Sequence, residues 1–272
     1  MFNQILYGNH LDILPRFPDD TFDMFLTSPP YDNLRSYEGY DFQFEPLARE
    51  LYRLLKPGGV GVWVVNDATI DGSETLTSAK QKIFFRDIGF NIWDTMIYAH
   101  SSFYPQKSRY KQTFEYCFVL AKASPLTFHP LKDCFSDYIG KTNTVKKRRK
   151  DGRFDVAHVQ YQEGSQRGNV WFYATGFNLT SKDSEAFEHP AIFPEKLAED
   201  HILSWSNPGD VVLDPMCGSG TTCKMAAKHG RKYVGIDIAE KYCEIARKRV
   251  ALIEAQPLLF NEANVSLHCQ FD

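Results

Sequence analysis

The sequence has no run of about 18 apolar residues, which a membrane-spanning helix would require. Its six cysteines include no C-x-x-C pair and have no histidine at ligand spacing, so we expect neither a metal site nor a disulfide framework. The opening residues Met1-Phe2-Asn3-Gln4 lack the basic and apolar pattern of a signal peptide. These absences predict a cytoplasmic protein with no membrane partner.

An overall excess of positive charge is also absent, because 31 Lys and Arg residues face 34 Asp and Glu residues and give a net charge of −3. Affinity for nucleic acid requires a positive surface, so any such surface must be local. Two stretches qualify: the run Lys146-Lys147-Arg148-Arg149-Lys150, and a segment in which Lys107, Arg109 and Lys111 alternate with tyrosines. The alternative for the run is an ordinary solvated surface.

The chain of 272 residues, 43% of them hydrophobic, is long enough for one large α/β domain with an insertion, or for two domains. Apolar segments of strand length alternate with segments of helical periodicity, as at Phe44 to Leu55 and Val60 to Val65. Lys56 to Gly59 is expected to form the turn between them. This alternation predicts a mostly parallel, doubly wound sheet. Between 124 and 185 the alternation disappears, which indicates an inserted region.

One short stretch, Leu26-Thr27-Ser28-Pro29-Pro30-Tyr31, ends an apolar strand with two prolines. Because proline cannot continue a sheet ladder, the following residues are expected at the carboxyl edge of the sheet, where open α/β sheets bind ligands. A serine hydroxyl, the Pro29 carbonyl and the Tyr31 ring could together hold a flat ring that carries an amino group. A proline turn with a buried tyrosine is the alternative.

A second stretch, Asp214-Pro215-Met216-Cys217-Gly218-Ser219-Gly220-Thr221, lies between an apolar strand and a predicted helix. Its glycines allow a ligand to approach the backbone closely, and the helix begins with free N–H groups. Cys223 replaces the third glycine of a dinucleotide fingerprint, so an NAD site is disfavoured. Asp237 ends the next predicted strand, where an acid accepts hydrogen bonds from ribose hydroxyls.

Together, L-T-S-P-P-Y near the start and D-P-M-C-G-S-G-T-T near the end resemble the catalytic and cofactor motifs of the DNA amino-methyltransferases. The order of the motifs is similar to that of the β class of this family. The resemblance implies a Rossmann-like methyltransferase fold, S-adenosylmethionine as the cofactor and double-stranded DNA as a partner. It also implies a homodimer. Asn9 departs from the acid that usually follows the first glycine, and Met216-Cys217 replaces the usual aromatic and its neighbour.

The resemblance implies a role for residues in three groups. The catalytic group comprises Ser28, Pro29, Pro30 and Tyr31. The cofactor group comprises Asp12, Thr27, His189, Phe193, Pro194, Asp214, Pro215, Met216, Cys217, Gly218, Ser219, Gly220, Thr221, Asp237 and Ile238. The DNA-binding group comprises Arg35, Lys107, Arg109, Lys146, Lys147, Arg148 and Arg149.

The same resemblance divides the chain into a catalytic half (1–123), a target-recognition region (124–185), a cofactor-binding half (186–256) and a tail (257–272). We expect methylation of an exocyclic amino group on a flipped base, with adenine N6 favoured over cytosine N4. Protein or RNA methyltransferases are an alternative, but those with a P-P-Y loop place it after the cofactor motif. A non-catalytic DNA-binding protein is another alternative, although it would be expected to have broken motifs.

Overall fold

The computed structural model describes residues 2–30, 42–101, 108–133, 142–160, 166–176, 178–189 and 191–255. The α-helices are α1 (His10–Ile13), α2 (Phe44–Leu54), α3 (Thr77–Asp87), α4 (Glu195–Trp205), α5 (Thr221–Lys228) and α6 (Glu240–Glu254). The strands are β1 (Gln4–Tyr7), β2 (Phe22–Thr27), β3 (Leu55–Val65), β4 (Thr69–Ile70), β5 (Ser73–Glu74), β6 (Asn91–His100), β7 (Phe114–Ala121), β8 (Thr142–Arg148), β9 (Phe154–Gln160), β10 (Val170–Tyr173), β11 (Val211–Asp214) and β12 (Lys232–Asp237).

Eight of these strands form one sheet in the order β1-β12-β11-β2-β3-β7-β6-β10. Strand β7 is antiparallel to both of its neighbours, and every other neighbouring pair is parallel. Two further pairs, β4–β5 and β8–β9, form separate two-stranded hairpins. The predicted α/β class and mostly parallel sheet are confirmed.

The sheet has a hydrophobic core on each face, because its central strands bury both sets of alternating side chains. In β3, Val60, Val62 and Val64 belong to one core and Trp63 and Val65 to the other. The first core includes residues of α4, α5 and α6, and the second includes residues of α1, α2 and α3. Helices on both faces make the sheet doubly wound and leave its carboxyl edge for loops.

One local prediction was wrong. Lys56 to Gly59, expected to form a turn, belongs to β3, which begins at Leu55 beside Phe22 and has a register shift before Val60 pairs with Met24. Helix α3 begins at Thr77, after the β4–β5 pairing of Thr69–Ile70 with Ser73–Glu74. The stretch 124–185 contains β8, β9 and β10, and β10 pairs with β6 in the main sheet.

Among the residues that the structure describes, no helix has the length and apolar character needed to cross a membrane. The same residues include no group of three His, Cys, Asp or Glu side chains that could hold a metal ion.

Candidate active site

The S-P-P segment directly follows β2, whose last residue is Thr27. Pro29 is buried, and Ser28 and Pro30 are half-buried. The proline pair ends the strand at the carboxyl edge of the sheet, as the sequence predicts. Three of the predicted site residues, Tyr31, Arg35 and Lys107, lie outside the described residues.

The glycine-rich loop (residues 214–221) follows β11, and β11 is the direct neighbour of β2 in the sheet. Leu213 pairs with Phe25 in parallel register, so both loops leave the sheet at the same edge. The Thr222 hydroxyl, at the start of α5, donates a hydrogen bond to the Leu26 carbonyl at 3.2 Å. Two motifs far apart in the sequence therefore meet.

Within the glycine-rich loop, two positions require glycine. Gly218 has φ +49° and Gly220 has φ +79°, which L side chains rarely adopt. A Cβ on Gly218 would lie 2.8 Å from His189 Nε2, and one on Gly220 would lie 2.6 Å from Ala246 Cβ. The absence of side chains at these two positions allows His189 and Ala246 to pack directly on the loop and brings His189 to the predicted cofactor motif.

The remaining members of the loop are largely buried. Pro215, Ser219 and Thr221 are buried, and Met216 packs against the core on the α1–α3 face. The Cys217 backbone N–H donates to the Ile236 carbonyl at 2.8 Å. A hydrogen bond with Cys223, together with burial, raises the pKa of the Cys217 thiol well above its usual value, so the thiol is protonated at neutral pH.

Asp214 ends β11 and is 2% exposed. Its Oδ1 accepts a hydrogen bond from the Met216 backbone N–H at 3.2 Å. Burial raises the pKa of this carboxyl to about 6, against the opposite effect of the Thr222 and Thr27 hydroxyls. Thr27 itself is fully buried. The first residue of the loop is thus a buried carboxyl whose Oδ1 holds the backbone of Met216.

Asp237 ends β12 beside the glycine-rich loop. Its two carboxylate oxygens accept the backbone N–H groups of Gly218 and Ala239, each at 2.9 Å. Burial raises the pKa of this carboxyl, while the backbone N–H groups act to lower it. Each carboxylate oxygen has a second lone pair that can accept a ribose hydroxyl. The next residue, Ile238, is 41% exposed and offers an apolar surface to a ring.

The segment before α4 also packs against the loop, through His189 and Gly218. The His189 ring contacts the Tyr242 ring with centroids 4.4 Å apart. Phe193 packs against the core on the α4–α6 face, and Pro194 is the N-cap residue of α4. Asp12 lies in α1 and is exposed, next to Asn9, whose side chain caps that helix. Tyr242 is a contact that the sequence analysis missed.

A buried ionic cluster contacts the glycine-rich loop at Ser219. The sequence analysis did not predict it. Arg249 of α6, 1% exposed, donates to the carbonyl and hydroxyl oxygens of Ser219 and to Asp183 and Glu195. Lys224 of α5 donates to the same two carboxylates at 2.7 and 2.8 Å. The signal in the sequence is an arginine within the apolar stripe of α6, four residues after Ile245.

Five of the predicted DNA-binding residues belong to the part of the chain that the structure describes: Arg109, Lys146, Lys147, Arg148 and Arg149. Arg109 donates to the Thr69 hydroxyl at 2.8 Å and to the Gly72 carbonyl at 3.0 Å, on the β4–β5 hairpin. Lys146, Lys147 and Arg148 are exposed on β8, and Arg149 follows it.

We expect Asp237→Ala to weaken S-adenosylmethionine binding about 10- to 100-fold, the usual range for losing hydrogen bonds to a charged group. Isothermal titration calorimetry measures this change. Asp210→Ala is the matched control, because Asp210 caps the turn at the other end of β11 by accepting the Asn207 N–H at 2.7 Å. Unchanged affinity in Asp237→Ala would contradict the ribose assignment.

Comparison with known proteins agrees with this geometry. Residues 22–248 match the family model N6_N4_Mtase, described as DNA methylase. The chain is 50% identical over 237 residues to the orphan methyltransferase M.BamHII of Bacillus amyloliquefaciens, covering 85% of this chain and 89% of that protein. It is 28% identical over 262 residues to the DNA adenine methyltransferase YhdJ of Escherichia coli (strain K12), covering 90% and 82%.

A solved structure, that of the Thermus thermophilus protein TTHA0409 complexed with S-adenosyl-L-methionine, superposes with a TM-score of 0.63 and 25% identity. The match covers 92% of this chain and 93% of that one. The chain belongs to the DNA methylase family and is an S-adenosylmethionine-dependent DNA amino-methyltransferase.

Proposed function

We propose that this enzyme methylates the exocyclic amino nitrogen of a base flipped out of a specific site in double-stranded DNA. The observation that carries the proposal is the parallel pairing of β2 with β11, which brings Ser28 and the glycine-rich loop to one edge. Adenine N6 is the first candidate for the acceptor atom, and cytosine N4 is the second.

Alignment of the amine is the contribution that we assign to the S-P-P segment. An exocyclic amine is a weak nucleophile because its lone pair is delocalised into the ring. Ser28 Oγ and the Pro29 carbonyl would accept its two N–H groups and direct the lone pair toward the glycine-rich loop. S-adenosylmethionine supplies the methyl group in activated form, so no covalent enzyme intermediate is required.

The cofactor would be held by the glycine-rich loop and by two segments beside it. Asp237 would accept the ribose hydroxyls, and Ile238 would pack against the adenine ring. His189 and Phe193 would line the methionine end. The packing of His189 on Gly218 supports this arrangement, because it brings the segment near His189 into contact with the glycine-rich loop.

Access to the base requires flipping, because the amino group is paired inside a duplex. We assign Tyr31 as the stacking surface for the flipped ring and Arg35, Lys107 and Arg109 as contacts to the DNA backbone.

The proposal also divides the chain into four parts and includes a homodimer. The parts are a catalytic half (1–123), a target-recognition region (124–185), a cofactor-binding half (186–256) and a tail (257–272). Light scattering on the purified chain would measure the oligomeric state.

Each candidate base has its own support. YhdJ, which aligns with 90% of this chain, is an adenine methyltransferase by name, and this favours adenine N6. Serine before P-P-Y resembles the motif more often found in cytosine-N4 enzymes. The two amines present the same donor pair to Ser28 and Pro29, so their geometry does not distinguish them.

We expect DNA from a methylation-deficient host that expresses this chain to contain N6-methyladenine or N4-methylcytosine. Nucleoside mass spectrometry identifies which base is modified. Host DNA from cells that express Ser28→Ala is the control. Transfer to carbon 5 of cytosine, or to RNA or protein but not to DNA, would contradict the proposal.

A further inference from the structure

The β8–β9 ribbon (Thr142–Gln160) is a two-stranded hairpin outside the main sheet. At 142 and 144–160 every residue is exposed. These include four large apolar side chains: Val145, Phe154, Val156 and Val159. An isolated two-stranded hairpin is only marginally stable in water, and exposed apolar side chains on it favour a partner.

Charge indicates the class of that partner. The ribbon contains six Lys and Arg residues and two Asp residues, a net charge of +4, which leaves −7 on the rest of the chain. A positive segment on a negative protein is complementary to a polyanion. Because the chain is a DNA methyltransferase, we commit to duplex DNA as the occupant. The major groove, about 12 Å wide, admits a two-stranded β-ribbon.

The register of the ribbon divides its side chains between two faces. Residues directly opposite each other in an antiparallel pair share a face, and successive residues alternate. Lys146 pairs with Val156, and Arg148 pairs with Phe154. His158 pairs with Thr144 on the same face, and its Nδ1 lies 3.3 Å from the Thr144 hydroxyl. We call this the basic–aromatic face.

The opposite face carries Asp155, the one acidic residue within the two strands of the ribbon. Asp155 pairs with Lys147, and it also accepts a hydrogen bond from Arg149 Nε at 2.6 Å. Val145 and Ala157 pair with each other on this face. The positive charge of Lys147 and Arg149 is therefore partly offset, whereas Asp155 points away from Lys146 and Arg148.

We propose that the basic–aromatic face of the ribbon enters the major groove of the target duplex and reads base edges. Arg148 and Lys146 donate to guanine O6 and N7, and Phe154 and Val156 contact thymine methyl groups. Lys147 lies on the face turned away from the bases and acts only through its charge. This inference rests on the proposed function, since it assigns recognition to residues of the same enzyme.

The test compares Lys146→Gln and Arg148→Gln with Lys147→Gln, because each removes one positive charge from the same exposed strand. Each full-length variant is expressed in a methylation-deficient host, and methylated positions are mapped by sequencing native genomic DNA. We expect Lys146→Gln and Arg148→Gln to reduce methylation at the wild-type sites about 10- to 100-fold and to relax the recognised sequence. Lys147→Gln should lower methylation uniformly and less, with the same recognised sequence.

The purified variants should keep the wild-type melting temperature and S-adenosylmethionine affinity, since the ribbon is exposed. The inference is overturned if all three variants keep the recognised sequence, or if Lys147→Gln changes it. It also fails if Lys146→Gln and Arg148→Gln act no more strongly than Lys147→Gln. A wild-type enzyme that modifies no DNA base would instead overturn the proposed function.

Discussion

Ser28→Ala is expected to lower kcat for methyl transfer to duplex DNA roughly 100-fold, the loss typical of a misplaced reacting group. In the proposed function this hydroxyl accepts one of the two N–H groups of the base, so its removal would leave the amine poorly directed. Ser28 is half-buried at the end of β2 and adds little to the core. We therefore expect an unchanged melting temperature and an unchanged Kd for S-adenosylmethionine. Single-turnover transfer of a radiolabelled methyl group measures the chemical step.

Thr21→Ala is the matched control, because it removes a hydroxyl from the residue that precedes β2, at the opposite end of that strand. The Thr21 hydroxyl donates to the Pro18 carbonyl at 2.5 Å, remote from the carboxyl edge. Its kcat should equal that of the wild type. Pro29→Ala keeps the carbonyl but frees the backbone, so we expect an intermediate loss. Wild-type turnover in Ser28→Ala would remove the role assigned to this residue.

The sequence predicted the meeting of the two motifs because parallel strands present their carboxyl ends at one edge. Ser28 follows one apolar strand and Asp214 ends another, so the ends of these strands predict that both residues lie at the ligand edge. The resemblance assigns His189 to the cofactor group, and in the structure this residue packs on Gly218 of the cofactor motif. Local signals were sufficient here because prolines and glycines mark where strands end.

Other features could not be derived from local signals. The apolar run of β7 does not reveal that this strand is antiparallel to its neighbours, because direction depends on how the chain returns. The β8–β9 ribbon lacks the regular alternation of a half-buried strand, since both of its faces are exposed. Lys56 to Gly59 resembled a turn, yet a register shift in the pairing with β2 extends β3 through it.

The ionic cluster below the glycine-rich loop depends entirely on tertiary contacts. Its four charged members come from three helices and the segment before α4: Asp183, Glu195, Lys224 and Arg249. Burial alone would raise the pKa of the Asp183 carboxyl, but hydrogen bonds from Lys224 and Arg249 hold it below its ordinary value of 3.8. The two carboxylates and the two basic side chains of the cluster thus compensate one another's charge, and removing one of them leaves an opposite charge without full compensation.

Arg249→Met is expected to lower the free energy of unfolding by about 3–5 kcal/mol, the usual cost of removing one partner from a buried ion pair. Methionine keeps much of the apolar stem but leaves two carboxylates with Lys224 as their remaining partner in the cluster. Chemical denaturation at pH 7 measures the change. Arg249 also binds both oxygens of Ser219, so S-adenosylmethionine affinity should fall together with stability.

Lys248→Met separates this effect from a simple loss of charge, because Lys248 is the exposed neighbour of Arg249 on α6. We expect its unfolding free energy to stay within about 0.5 kcal/mol of the wild type.

The pH dependence of the unfolding free energy gives a second criterion for the ionic account. Asp183 has a lowered pKa in the folded state, so its pairing stabilises the protein above pH 3.8 and is lost as the pH falls through the folded-state value. The difference between Arg249→Met and the wild type should therefore shrink in acid, and a difference that does not change with pH would exclude the ionic account.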